Sequence, residues 1–298
     1  MTILPDPRQN AIILKAIQDN SLLYQMEYKH HQNHLLYILI RLYELGVSNG
    51  ELKKVYGQSI QKMDMLRIPE VPKLALPLYE NNWFNHLGDK DLYSSFLQFF
   101  DHQISVHGTR HTLERFFYQG PLSLTIGSHR LPIVHLALGI KYEIPQVIAQ
   151  ALSFLASSFR DSSFLLCPSH VDEGPMGYLT AHEILVEQVQ VDPRFRPFSA
   201  SVQQPIQVRY EKMLKSTQEL LRKYVYLWQI PKDKGEALLE LGVLARQMGE
   251  KDILVKTTEA MSVVHDKTCS VEVLRVQFLN VICWYILQGR PRVTSYSI

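Results

Sequence analysis

The sequence predicts an all-α fold: a single multi-helix globular domain of roughly nine to twelve helices spanning residues 1–298. Three observations carry this. Apolar residues recur at i, i+3, i+4 and i+7 through most of the chain. Runs with the period of two that marks a strand are almost absent. Helix punctuation recurs where the periodic runs begin and end. Hydrophobic residues make up 46% of the chain, enough for a sizeable core. No segment repeats at a fixed period, which argues against a helical-repeat array.

The elements follow in order. In HLLYILIRLYELG, Leu35, Leu36, Leu39, Leu42 and Tyr43 make one helical face, and Gly46 closes it as a left-handed C′ residue. Ser48, with Glu51 three residues on, opens the next helix with capping-box spacing. Pro69, Pro72 and Pro77 make residues 67–82 a connector. Leu92, Phe96, Phe99, Phe100 and Ile104 share a face of a helix that Gly108 stops. Thr109 restarts a short helix through Phe117.

The run LPIVHLALGIKYEIPQVIAQALSFLASSF reads as two helices with a break around Tyr142 to Pro145. Pro145 suits the first position of the second helix. Both are apolar on most faces, which places them at the centre of the core. Residues 160–177 are rich in Ser, Pro and Gly and read as a loop. Residues 179–190, 207–228, 234–248, 251–264 and 271–288 complete the helices.

Composition narrows the function. Lys plus Arg total 31 and Asp plus Glu total 29, a balance that gives no electrostatic case for nucleic acid or a membrane surface. The 3 cysteines are far apart and odd in number, which points to a reducing compartment and no disulfide framework. The N-terminus MTILPDPRQN lacks the apolar run of a signal peptide. The longest apolar run, FLNVICWYIL, is half of the ~20 residues a bilayer requires. The expectation is a cytoplasmic protein. GxGxxG, P-loop, GxSxG and HExxH patterns are all missing, so a Rossmann-bound NAD or flavin has no support.

The chain carries 12 histidines. His30, His31 and His34 in KHHQNH are spaced to face one metal from a helix turn, or to be the polar start of a helix. His107 and His111 flank Gly108, which breaks a continuous turn. His182-Glu183 lacks the second histidine of a metalloprotease helix and reads as a surface feature. His135 sits between Val134 and Leu136 in the most apolar helix. A buried imidazole needs partners, and two readings stand: a core histidine tied to a carbonyl, or a ligand with its second nitrogen fixed.

Several stretches together resemble the questin oxidase-like family. NHLLYILIRLYELGVSNGELKKVYG is similar to its N-terminal Asn-His segment. NNWFNHLGDKDLYSSFLQFFDHQISVHG is similar to its W..HLGd..lY..fl.FF block. LPIVHLALGIKYEIPQVIAQAL is similar to its HPLIHLGYGLEF..P.i.aEAL block, the most specific of the set. HEILVEQVQVDPRF and YVYLWQI follow in family order, so the resemblance runs from about Tyr28 to Arg292.

The resemblance implies an oxidoreductase that opens aromatic polyketides of the anthraquinone type by Baeyer–Villiger-type oxidation with dioxygen. It implies a non-haem iron held by several histidines and a carboxylated lysine, with NADPH associated with some members. By position, Asn33-His34 matches the Asn-His pair and His135 matches the second histidine of HPLIH, so His34 and His135 are the metal candidates. Asn33, His31, Tyr37, Trp83, Phe84 and His86 are candidates for supporting or pocket roles.

The sequence also departs from the family pattern. Leu131 stands where HPLIH begins, Tyr37 and Ile38 where a His-His pair follows, and Lys256 where a later histidine falls. CWYILQGRP resembles the stretch before the family's last segment, which is expected to be absent. Two imidazoles fall short of the two-His, one-carboxylate face of non-haem iron, and His31, His129 or His182 would have to substitute. The alternative is a degenerate relative that keeps the helical fold as a binding or scaffold protein. A third reading is an unrelated helical interaction module.

Overall fold

A computed structural model of the chain describes residues 6–28, 31–68, 76–125, 131–165, 177–199, 204, 206–248 and 270–294. Those residues form an all-α structure with eleven α-helices, and their only strand pairing is one pair of two-residue strands. The helix expected over 251–264, together with His30, His129 and Lys256, lies outside the described residues. Chain contacts divide the protein into two compact units, Met1–Ser123 with Gly127–Arg160, and Leu124–Ile126 with Asp161–Ile298.

The first unit holds α1 (Ala11–Leu23), α2 (Leu35–Glu44), α3 (Asn49–Lys62), α4 (Tyr93–Leu113), α5 (Leu131–Lys141) and α6 (Pro145–Ser157). Asn10 caps α1, its Oδ1 accepting from Ile12 N–H at 3.0 Å. Ser48 caps α3 as expected, although its bond to Glu51 N–H is long at 3.4 Å. Gly46 takes φ 78°, the left-handed value the end of α2 requires. Ile13, Ile17, Leu35, Leu36, Leu39, Leu52, Leu138 and Val147 form one buried cluster that joins α1, α2, α3, α5 and α6. Such burial of apolar area is what holds α2, a ten-residue helix too short to persist alone.

One detail of this unit differs from the sequence reading. His31 does not begin a helix: residues 27–28 (β1) and 31–32 (β2) pair antiparallel, Tyr28 facing His31. α2 starts only at Leu35, because Asn33 folds its side chain back onto Leu35 N–H. That removes the helix turn on which His30, His31 and His34 would have shared a face. Gly108 interrupts α4 as expected: at φ 81° and ψ 159° it is outside the helical region, and a second helical stretch follows it to Leu113. That stretch then widens into a π-helical turn at Glu114–Tyr118.

α5 and α6 are joined by a tight turn with Pro145 at the first position of α6, as expected. They cross closely at Gly139. A Cβ placed there would lie 2.6 Å from Ile148 Cγ1 and 3.0 Å from Ile148 N. Glu143 in the turn takes φ 51°, a conformation side chains with a Cβ adopt at a cost. The far ends of α2 and α5 are pinned by one carboxylate. Glu44, 4% exposed, accepts from Lys141 Nζ at 2.6 Å and from Arg41 at 2.7 Å, and it also bonds the Tyr142 hydroxyl. Burial pushes its pKa up, but the Lys141 and Tyr142 bonds outweigh that and hold it below the ordinary value.

The second unit holds α7 (Ala181–Glu183), α8 (Arg196–Ser199), α9 (Ile206–Tyr226), α10 (Lys234–Gln247) and α11 (Val271–Leu287). Thr180 and Glu183 form a reciprocal capping box, and the helix they open passes at once into a π-helical turn at Ile184–Val189. That accounts for His182-Glu183 as a helix start. α11 is buried along most of its length and packs on α9 and α10. Asp192 organises the turn before α8, taking bonds from Arg194 and from the Tyr224 hydroxyl at 2.6 Å. No helix among the described residues is long and apolar enough to cross a membrane.

Candidate functional site

The first unit buries an unusual chain of polar side chains at the junction of α1, α2, α5 and α6. Asn20, Asn33, His135 and Gln150 are all at most 3% exposed. Buried polar groups are stable only when hydrogen-bonded, and here they bond to each other. Leu35 N–H donates to Asn33 Oδ1 at 3.1 Å. Asn33 Nδ2 donates to Asn20 Oδ1 at 2.6 Å. Asn20 Nδ2 donates to Gln150 Oε1 at 3.2 Å, and His135 Nε2 lies 3.3 Å from the same oxygen.

Each member is placed by its element. Asn33 is fixed because its own N–H donates to Met26 O at 2.9 Å, closing the turn that carries β1 and β2. Asn20 lies on the buried face of α1. His135 and Gly139 are one turn apart on α5, so the close crossing at Gly139 brings α6 and Gln150 within reach of the imidazole. Beside the relay, Met26, Tyr93, Leu131 and Phe154 form a small apolar cluster. Leu131 is one turn before His135, and Phe154 one turn after Gln150.

The environment sets the protonation of His135. Burial pushes the imidazole down to about 4, with the Gln150 bond opposing. The ring is therefore neutral near pH 7 and can act as an acceptor or a ligand. Burial also pushes the Tyr93 phenol up, keeping it protonated. Two polar atoms in this region are buried without a hydrogen-bond partner among the described residues, Gln150 Nε2 and the Tyr93 hydroxyl. Both are donors left to a bound molecule or water.

The other candidates from the sequence are placed as follows. Asn33 belongs to it. His34, half-buried, is the residue before α2 and does not cap the helix with its side chain. His31 is exposed on β2. Tyr37 packs against the cluster of α1, α2 and α3. Trp83 is buried among Phe99, Phe100 and Phe116, with centroids 5.3–6.1 Å away. Phe84, in the same short turn, is 52% exposed, and His86 is half-buried. Asn20, Gln150 and Tyr93 were not singled out in the sequence. The one available signal was a glutamine inside the otherwise apolar run VIAQALSFL.

A non-haem iron needs at least three converging donors. Among the described residues, no three His, Cys, Asp or Glu side chains come together as such a group. The position of the motif's first histidine is Leu131, packed against Tyr93, Met26 and Phe154. The described donor set does not by itself fit an iron.

The chain belongs to the Questin oxidase-like family, which matches residues 31–298. It is 30% identical over 134 residues to the questin oxidase of Aspergillus terreus, covering 42% of this chain and 29% of that protein. Identity to the Baeyer-Villiger oxidase mdpL of Emericella nidulans is 29% over 148 residues, 45% of this chain and 32% of that one. For the Baeyer-Villiger oxidase AgnL3 of Paecilomyces divaricatus it is 26% over 194 residues, 56% and 40%. The match thus covers less than half the length of each of these relatives.

Proposed function

We propose that the chain is a cytoplasmic oxidoreductase of the questin oxidase type, acting with dioxygen on an aromatic polyketide of the anthraquinone class. The supporting observation is the buried, neutral His135, held by Gln150 in the stretch that most resembles the family. The reaction is a Baeyer–Villiger-type insertion. One oxygen atom of O2 enters a carbon–carbon bond beside a ring carbonyl, and the other leaves as water. NADPH supplies the two electrons, and the resulting ester opens the ring on hydrolysis.

In this reading the neutral imidazole of His135 accepts a hydrogen bond from a phenolic hydroxyl of the substrate. Gln150 Nε2 and the Tyr93 hydroxyl, both without a partner among the described residues, donate to its oxygens. The test is incubation of the full chain with hydroxylated anthraquinones, NADPH and 18O2, with products read by mass spectrometry. The expected product is heavier by one labelled oxygen and is lost in His135→Ala. Product without label, or unchanged turnover in His135→Ala, overturns the assignment.

One observation favours a second reading, a binding or scaffold protein without turnover. Leu131 fills with apolar packing the place where the family motif has a histidine. Quenching of tryptophan fluorescence by the same anthraquinones, with no oxygen consumed, would establish it.

A further inference from the structure

We infer that Gln150 is a positioning residue that fixes His135 as its Nε2–H tautomer and makes Nδ1 the nitrogen that meets a bound molecule. A backbone N–H cannot be reversed, so the amide of Leu35 requires an acceptor at Asn33 Oδ1. That sets Asn33 Nδ2 as the donor toward Asn20 Oδ1. Gln25 O, 3.5 Å from Asn33 Nδ2, is an acceptor and agrees with the same orientation.

Asn20 then has only Nδ2 left to offer Gln150, which must answer with Oε1. The two lone pairs of that oxygen take Asn20 Nδ2–H and one more donor. His135 Nε2 is the atom in that place, so it carries the proton. The lone pair of the neutral ring is then on Nδ1.

The opposite tautomer would set two lone pairs against each other across 3.3 Å. Turning the Gln150 amide to relieve this would set its NH2 against the Asn20 NH2. Each further reversal passes the conflict along until it reaches Leu35 N–H, where it stops. The sense of the relay is therefore chosen at the start of α2 and delivered to α5. Among the described residues, the Gln150 bond is the ring's one hydrogen bond. That Nδ1 meets a phenolic hydroxyl rests on the function proposed above; the tautomer does not.

The test is a long-range 1H–15N correlation spectrum of the full chain with 15N-labelled histidine near pH 7. His135 is identified by the signals lost in His135→Gln. The expected wild-type pattern is a pyrrole-type Nε2 and a pyridine-type Nδ1. Gln150→Met should lose this pure signature and Gln150→Glu, with a carboxylate oxygen as acceptor, should restore it. Asn33→Ala, which cuts the relay at its anchor, should give mixed tautomers. A wild-type Nδ1–H pattern overturns the inference even if every variant fails to fold. So does a wild-type pattern preserved in Gln150→Met. Turnover is not read, so a missing oxidase activity would refute the function without touching this assignment.

Discussion

Acidification should destabilise the first unit through His135, and the size follows from its environment. The imidazole stands at about 4 in the fold against 6.5 when free, because burial penalises the charged ring. Below the free value, the unfolded chain takes up a proton that the folded chain refuses. The stabilisation is therefore complete above about pH 6.5 and is lost as the pH falls toward 4. At pH 5 the linkage amounts to about 2 kcal/mol, and below pH 4 it approaches about 3 kcal/mol. Urea denaturation of wild type and His135→Gln at pH 7 and pH 5 measures it. Other groups titrate in both proteins, so the difference between the two losses isolates His135. Wild type should lose about 2 kcal/mol more than the variant over this interval. Equal losses would show that His135 titrates freely in the fold, and the neutral, relay-bound imidazole would be refuted.

Three further outcomes are expected. Gly139→Ala places a methyl 2.6 Å from Ile148 Cγ1 and 3.0 Å from its backbone nitrogen, so it should cost about 1–3 kcal/mol by urea denaturation. An unchanged midpoint would mean that α5 and α6 do not cross so closely. Tyr224→Phe removes a 2.6 Å bond to the buried Asp192 carboxylate and should cost about 1.5–3 kcal/mol at pH 7. Asp192 is held at about 2 by the Arg194 bond foremost, so its contribution is present above pH 3.8 and fades as the pH falls toward 2; a Tyr224→Phe penalty undiminished at pH 2 would contradict this. Glu143→Asn, at φ 51°, should raise stability by about 0.5–1 kcal/mol in thermal melts, because asparagine tolerates the left-handed region; a loss would show that this backbone is unstrained.

Local chemistry was legible where it is written in neighbouring residues. Gly46, Ser48 and Pro145 marked the ends of α2, α3 and α6 because capping and fixed φ act within a few positions. The all-α character followed from periodicity, for the same reason. The π-helical turns at Glu114–Tyr118 and Ile184–Val189 were not legible. They insert one residue into a turn without changing which residues are apolar. His31 was misplaced on a helix because a two-residue strand has too few positions to show alternation.

The site was legible by halves. Asn33 and His135 were visible from motif resemblance and from a polar residue in an apolar run. Their partners Asn20 and Gln150 are 130 positions apart in the chain, and no spacing rule joins them. Asn33 also proves to serve the start of α2, through Leu35, as much as the relay itself.

The Glu44 carboxylate has a mechanical consequence for α2 and α5. One contact between two rods leaves them free to pivot about it. These helices have two, at opposite ends. The amide relay couples the first residue of α2, through Asn33, to the first half of α5, and Glu44, the last residue of α2, grips Lys141 and Tyr142 at the end of α5. Two fixed points remove rotation as well as sliding. The imidazole of His135 is thus carried on a beam clamped at both ends, and its aim is set by the pair of clamps together.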